Sequence, residues 1–306
     1  MRGPGTAVAV ALLLVALATA GCGLGPGNGV KDAELTVTRD YGTVPVLHRR
    51  LDDLTESDTV MRALERNADI TTSYGGDFVQ SIDGVEGESR SGERFDWLFY
   101  VNGVESTVGA GAYSLHGGES VWWDYRDWSA ALRVPAVVGS WPQPFLGGYD
   151  GKRRLVAVEC LGGGSACDEV DERLEDAGVA VSTHPTGGAI RVLVGPWARV
   201  RSDPAAAQLE HGPQTSGVFA DFHRDGSSYR LVGLDEAGDE AVDFGPDGGL
   251  VAATRRYEEP PVWTVTGTSG EGVRAAVNLL DAGDLSDHYA VAVEGNKETP
   301  LPTPSR

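Results

Sequence analysis

Cys160 and Cys167 stand seven positions apart across Leu161-Gly162-Gly163-Gly164-Ser165-Ala166. At the start of a helix, Cys167 would have its thiol acidified by the helix N-terminus, which suits redox chemistry. A metal site is disfavoured, because two Cys with no His near in sequence supply too few ligands. Two Gly-rich turns, Cys160–Ser165 and Thr266-Gly267-Thr268-Ser269-Gly270-Glu271-Gly272, lead strands into helices, where outward backbone N–H groups can cradle phosphate. Neither has the spacing of a dinucleotide fingerprint or the Gly-Lys-Ser/Thr of a P-loop, so ordinary strand-to-helix loops account for both. A nucleophile elbow needs G-x-S-x-G, and Gly267-Thr268-Ser269-Gly270-Glu271 fails at its last position. His48, His116, His184, His211, His223 and His288 are scattered, with no H-E-x-x-H and no pair at helical spacing. Asp221 and His223 lie two apart on a strand and read as a solvated face. These residues assign no catalytic group, no metal ligands and no cofactor, and the chain reads as non-enzymatic.

The charge balance narrows the partners. In 306 residues there are 45 Asp plus Glu against 25 Lys plus Arg, a formal charge of −20. Nucleic acid is excluded as the main partner because phosphate binding needs a basic stripe. Attachment to anionic lipid through basic residues is excluded on the same ground. The chain is 41% hydrophobic and 23% charged, a globular composition, and its length fits about two domains.

Residues 1–21 have the build of a secretory leader. Arg2 supplies the positive end, Ala7 to Ala20 is uncharged and apolar, and Thr19, Ala20 and Gly21 precede Cys22. The apolar stretch is shorter than the ~20 residues of a spanning helix. Small residues before a Cys resemble a bacterial lipobox, which implies cleavage after Gly21 and lipid on Cys22. Residues 22–30 then form a Gly/Pro tether, and the folded part is expected at the extracytoplasmic face of the cell membrane. With Cys22 acylated, Cys160 and Cys167 are left as an even pair in an oxidising compartment, and a disulfide is expected.

Residues 31–133 read as a first domain: a hairpin from Glu34–Arg39 and Val44–Leu51, a helix over Thr59–Ala68 capped by Ser57 or Thr55, and a strand at Phe78–Ile82. Asp96-Trp97-Leu98-Phe99-Tyr100-Val101 runs into the turn Asn102-Gly103, and Ser120–Tyr125 is the last strand. Period two puts Trp97, Phe99 and Val101 on one face and Leu98, Tyr100 and Asn102 on the other, with Val121, Trp123 and Tyr125 opposite Trp122 and Asp124. One set forms the core. The other offers aromatic rings either to a ligand or to whatever element covers that face.

The run Trp97–Val104, with Val108-Gly109-Ala110, Tyr113, Leu115, Gly118-Glu119, Val121-Trp122 and Asp124-Tyr125, resembles the transcobalamin-like, DUF4430-like C-terminal domain. That resemblance implies a β-grasp-like α+β module with a binding role. In animal vitamin B12 carriers the module closes over cobalamin held by a helical barrel. Tyr100, Asn102, Tyr113 and Trp122 are the candidate ligand contacts.

Residues 134–150 read as a Pro/Gly linker, residues 151–297 as a small α/β domain, and residues 298–306 as a flexible tail. Within 151–297, strands are expected at Arg154–Cys160, Val179–Val181, Ile190–Val194, Val218–Phe222, Tyr229–Leu234, Leu250–Thr254, Val262–Thr266 and His288–Val293. Helices are expected at Cys167–Ala177 and Gly270–Leu280. Together these readings describe a lipid-anchored binding protein for a small molecule, or an accessory to a membrane transporter. An envelope protein-interaction module without a small ligand is the alternative.

Overall fold

The structure, a computed structural model, describes residues 32–52, 54–76, 78–162, 164–182 and 187–305. The leader 1–21, the lipidation position Cys22 and the tether 22–30 lie outside the described residues, as do Gly163 and His184. Strands dominate and helices are few, in a mixed α/β chain.

Alternating apolar residues build β1 (Ala33–Arg39) and β2 (Val44–Leu51), an antiparallel hairpin. Thr59, rather than Ser57 or Thr55, caps α1 (Val60–Glu65) by accepting from the Arg62 N–H. A small sheet follows from β3 (Ile70–Ser73), β4 (Phe78–Ile82) and β5 (Val85–Glu86). Then come β6 (Glu88–Arg90), β7 (Glu93–Val101), β8 (Val104–Glu105) and β9 (Ser120–Asp127). The main N-terminal sheet has the order β2-β1-β9-β7-β6, with β1 and β9 parallel and β8 paired to β7. Leu35, Val37, Trp97, Val121 and Trp123 face α1 and form one core with Val60 and Leu64.

The C-terminal half is organised by β10 (Val156–Cys160), α2 (Ala166–Asp176), β11 (Ile190–Pro196) and α3 (Trp197–Val200). A 3-10 turn (Ala206–His211) and α4 (Pro213–Ser216) lead to the antiparallel sheet of β12 (Ala220–Asp225), β13 (Ser228–Leu234) and β14 (Glu240–Asp243). The chain then forms β15 (Gly248–Thr254), β16 (Val262–Gly267), α5 (Gly270–Asn278), α6 (Ala282–Leu285), β17 (Ala290–Glu294) and β18 (Lys297–Leu301). The larger sheet has the order β10-β11-β16-β15-β17-β18. Its β10, β11 and β16 are parallel, and the remaining pairs are antiparallel. Val170 and Leu174 of α2 and Val273, Ala276 and Val277 of α5 bury against Val192, Val194, Val251 and Val265. Cys160 and Cys167 are disulfide-bonded, joining the end of β10 to the first turn of α2.

Three boundaries differ from the expectation. The linker 134–150, expected to dock through Trp141 and Phe145, packs along more of its length: Val134, Val137, Val138, Phe145 and Tyr149 are buried, and Val137 N–H donates to the Gly103 carbonyl at 2.8 Å. Residues 298–301 are not a flexible tail but part of β18, where Pro300 is tolerated because the strand is the sheet edge. Val179–Val181 contributes a single parallel bridge, Val181 to Val156, instead of a strand, with the Ser182 N–H donating to the Val156 carbonyl at 2.7 Å. The halves also share one apolar cluster: Tyr41, Tyr100 and Trp122 from the first pack with Trp197, Phe219 and Tyr289 from the second.

Gly42 sits at this seam with φ +87°, and a Cβ there would overlap the Asp287 carbonyl oxygen. Only glycine allows the β1–β2 turn to approach the second half so closely.

Candidate functional site

The face of the N-terminal sheet left open by the sequence is covered. Tyr100, Asn102 and Trp122 are all at most 1% exposed. Trp122 Nε1 donates to Thr38 Oγ1 at 2.8 Å, and its ring meets Tyr289 edge-on with centroids 5.2 Å apart. Tyr100 meets the same Tyr289 at 5.8 Å, and burial pushes its hydroxyl up to about 12. Asn102 takes φ +54° as the first residue of the Asn-Gly turn; its side chain accepts from Ser120 N–H and donates to the Gly148 carbonyl, both at 2.9 Å. These three therefore fasten sheet to linker and linker to second half, and the expected aromatic platform gives way to an interdomain seam.

A polar network runs through the seam. Asp124 Oδ1 accepts from Thr38 Oγ1 at 2.6 Å and from Gly42 N–H at 3.1 Å, and Oδ2 accepts from the Tyr289 hydroxyl at 3.0 Å. Burial raises the Asp124 carboxyl to about 6, against the opposing pull of these hydrogen bonds and of Arg126. Arg126 is fully buried and donates through Nη1 to the Ala131 carbonyl at 2.9 Å. The network is sealed from solvent, so it serves the fold rather than a ligand.

Tyr113, the fourth candidate, lies elsewhere. Its hydroxyl donates to Glu119 Oε1 at 2.9 Å, while Glu119 Oε2 accepts from the His116 backbone N–H at 2.8 Å. Burial, followed by the Glu119 charge, raises the Tyr113 hydroxyl above the usual tyrosine range. Behind this loop the two halves diverge and leave a cleft of about 620 Å3, walled by His116, Glu119, Gln143, Phe145, Arg153 and Arg154, among others. An adjoining recess of about 310 Å3 shares His116 and Gly151 and includes Tyr113 in its wall.

The loop is held from several sides. Gln143 Nε2 donates to the Gly118 carbonyl at 2.8 Å, and Gln143 Oε1 accepts from Gly147 N–H at 2.7 Å. Arg154 stacks on Tyr149, its guanidinium carbon 4.7 Å from the ring centroid, and Arg255 approaches the same ring at 5.0 Å. Arg255 is buried and pairs with Asp150 at 3.6 Å. The concavity mixes polar and apolar surface about evenly, with Phe145, Leu146 and Leu155 beside Glu119, Gln143 and the two arginines.

Residues 57–127 match the family model DUF4430, described as a domain of unknown function. The matched segment runs from the approach to α1 through β9, and so contributes His116 and Glu119 to the cleft and Tyr113 to the adjoining recess. A solved structure from Ruminococcus gnavus, provisionally named a metal binding protein, is similar at 16% identity. It covers 32% of this chain and 97% of its own, with a TM-score of 0.26. No curated protein matches.

Among the described residues, no group of three or more His, Cys, Asp and Glu is placed to hold a metal ion. The two Gly-rich turns do converge, walling a recess of about 260 Å3 with Gly195 and Pro196 at the C-terminal ends of the parallel strands. Arg274 in that recess is already paired with Glu271. His223 and Asp221 remain on β12 with Glu240 near His223 at 3.2 Å, a charged strand face.

The sequence reading missed His116, Glu119, Gln143, Arg153 and Arg154 as a set. The one signal available was Lys152-Arg153-Arg154, a run of three cations in a chain of formal charge −20.

Proposed function

We propose that the protein is a lipid-anchored extracytoplasmic binding protein that takes a small molecule into the cleft between its halves. The carrying observation is the cleft itself, about 620 Å3 and within the range of small-molecule sites. The β-grasp-like reading of residues 31–133 is supported by the strand order β2-β1-β9-β7-β6 around a parallel central pair. The transcobalamin-like resemblance favours a binding role but not cobalamin in particular. In the vitamin B12 carriers a helical barrel faces this module, whereas here an α/β half covers it. Delivery of the ligand to a membrane transporter fits the anchored position.

Ala180 lines the cleft and is exposed, so Ala180→Trp fills it without disturbing a core. Thermal unfolding of the secreted chain is to be followed with cyanocobalamin, protoporphyrin and a panel of organic acids, amines and sugars. At a hundredfold excess over Kd, a bound compound stabilises the fold by about 2.7 kcal/mol. At least one compound is expected to raise Tm in the parent and not in Ala180→Trp. If no compound separates the two proteins, the cleft is not a ligand site.

The anchor has its own test. Cys22→Ser is expected to move the protein from the membrane fraction to the soluble fraction, because one cysteine carries the lipid. Retention of the variant in membranes would remove the lipid reading.

A further inference from the structure

We propose that the ligand of this cleft is an organic anion, an acidic head group on an apolar body, with the head held by Arg153 and Arg154. The proposal rests on the cleft being the ligand site and names the chemistry it selects. In a chain with 45 acidic and 25 basic residues, the longest basic run, Lys152-Arg153-Arg154, delivers two guanidinium groups to the wall of the largest cavity described. Glu119 is the one acidic residue on that wall, and it already accepts from the Tyr113 hydroxyl and the His116 N–H. Neither arginine forms an ion pair among the described residues, and Asp150, next to the run, is engaged by Arg255 instead. The local field is therefore positive within a molecule whose net field is negative.

Arg154 is also positioned: Tyr149 holds its guanidinium by stacking, and the planar guanidinium fork matches a carboxylate, sulfonate or phosphate. Beside it, Leu155 is 50% exposed and Leu146 36% exposed, both on the cleft wall. Apolar surface next to unpaired cations selects a ligand with both characters, and disfavours simple inorganic phosphate.

Two fluorophores that share one body separate the possibilities: 8-anilinonaphthalene-1-sulfonate, an anion, and N-phenyl-1-naphthylamine, its neutral counterpart. Each is titrated into the full secreted chain, into Arg153→Ala, into Arg154→Met, which keeps the stem over Tyr149, and into Ala180→Trp. Native circular dichroism is checked for every variant. The sulfonate is expected to bind one saturable site at least about tenfold more tightly than the neutral compound. Each arginine substitution is expected to weaken the sulfonate by about tenfold and to leave the neutral compound unchanged. Because Arg153 is exposed, its variant reports on the head group even if Arg154→Met disturbs the loop. Equal binding of both fluorophores, lost in Ala180→Trp and indifferent to the arginines, would overturn the anion proposal and leave the cleft as a binding site. Absence of any site sensitive to Ala180→Trp would overturn both.

Discussion

Trp122→Ala is expected to lower the free energy of unfolding by about 3–5 kcal/mol, the range for removing a large buried aromatic ring. Trp122 is 1% exposed and stands where the two halves meet, against Tyr100 at 5.7 Å and Tyr289 at 5.2 Å between ring centroids. Removing the ring leaves a cavity bounded by rings from both halves and by the backbone at Gly139, which has no side chain to move in. It also deprives Thr38 Oγ1 of its indole donor, in the same network that holds Asp124. Urea unfolding followed by circular dichroism gives the value. Tyr74→Ala is the control, since Tyr74 is 86% exposed and its loss should stay within about 0.5 kcal/mol. A loss below about 1 kcal/mol for Trp122→Ala would mean that the seam is not a shared core, and would reopen this face to a ligand.

That outcome turns on what alternation along a strand can and cannot say. Period two separated Trp97, Phe99 and Val101 from Tyr100 and Asn102 correctly, because neighbouring side chains on a strand must point to opposite sides. Which set meets solvent depends on elements nearly 200 positions away, such as Tyr289, and no local pattern encodes that. The turn chemistry of Asn102-Gly103 was legible, whereas the Asn102 side chain's grip on Gly148 was not, since the linker had no readable shape of its own. The start of α5 was legible because a Gly-rich turn, with Ser269 as its cap, precedes the periodic residues Val273, Ala276 and Val277. β18 escaped because Pro300 argues against a strand unless the strand is known to be an edge. The cleft escaped for the most basic reason: residues near 116–119, 143–147, 151–155 and 178–180 meet only after both sheets have formed. Its one local mark was the basic run, which stands out against the charge of the whole chain and not within any single element.

The buried Asp124 should make the seam respond to pH in a predictable direction. Its carboxyl is raised by burial to about 6 in the fold, against roughly 3.9 for an exposed Asp. The folded state thus binds this proton more tightly than the unfolded chain does. The group's stabilising contribution is fully present below about pH 4 and is lost as pH rises through about 6. A shift of about two units corresponds to about 3 kcal/mol. Asp124→Asn removes the titration while its amide oxygen can still accept from Thr38 and Gly42, with the amide N–H turned to the Tyr289 hydroxyl. Other carboxylates titrate over the same range in both proteins, so the informative quantity is the parent minus variant difference. That difference in unfolding free energy is expected to fall by about 2 kcal/mol between about pH 4 and pH 7. A difference that stays flat would mean that Asp124 is ionised throughout. Arg126, buried 5.7 Å from the Tyr41 ring and facing the same network, would then hold the negative charge as its partner rather than merely lower its cost.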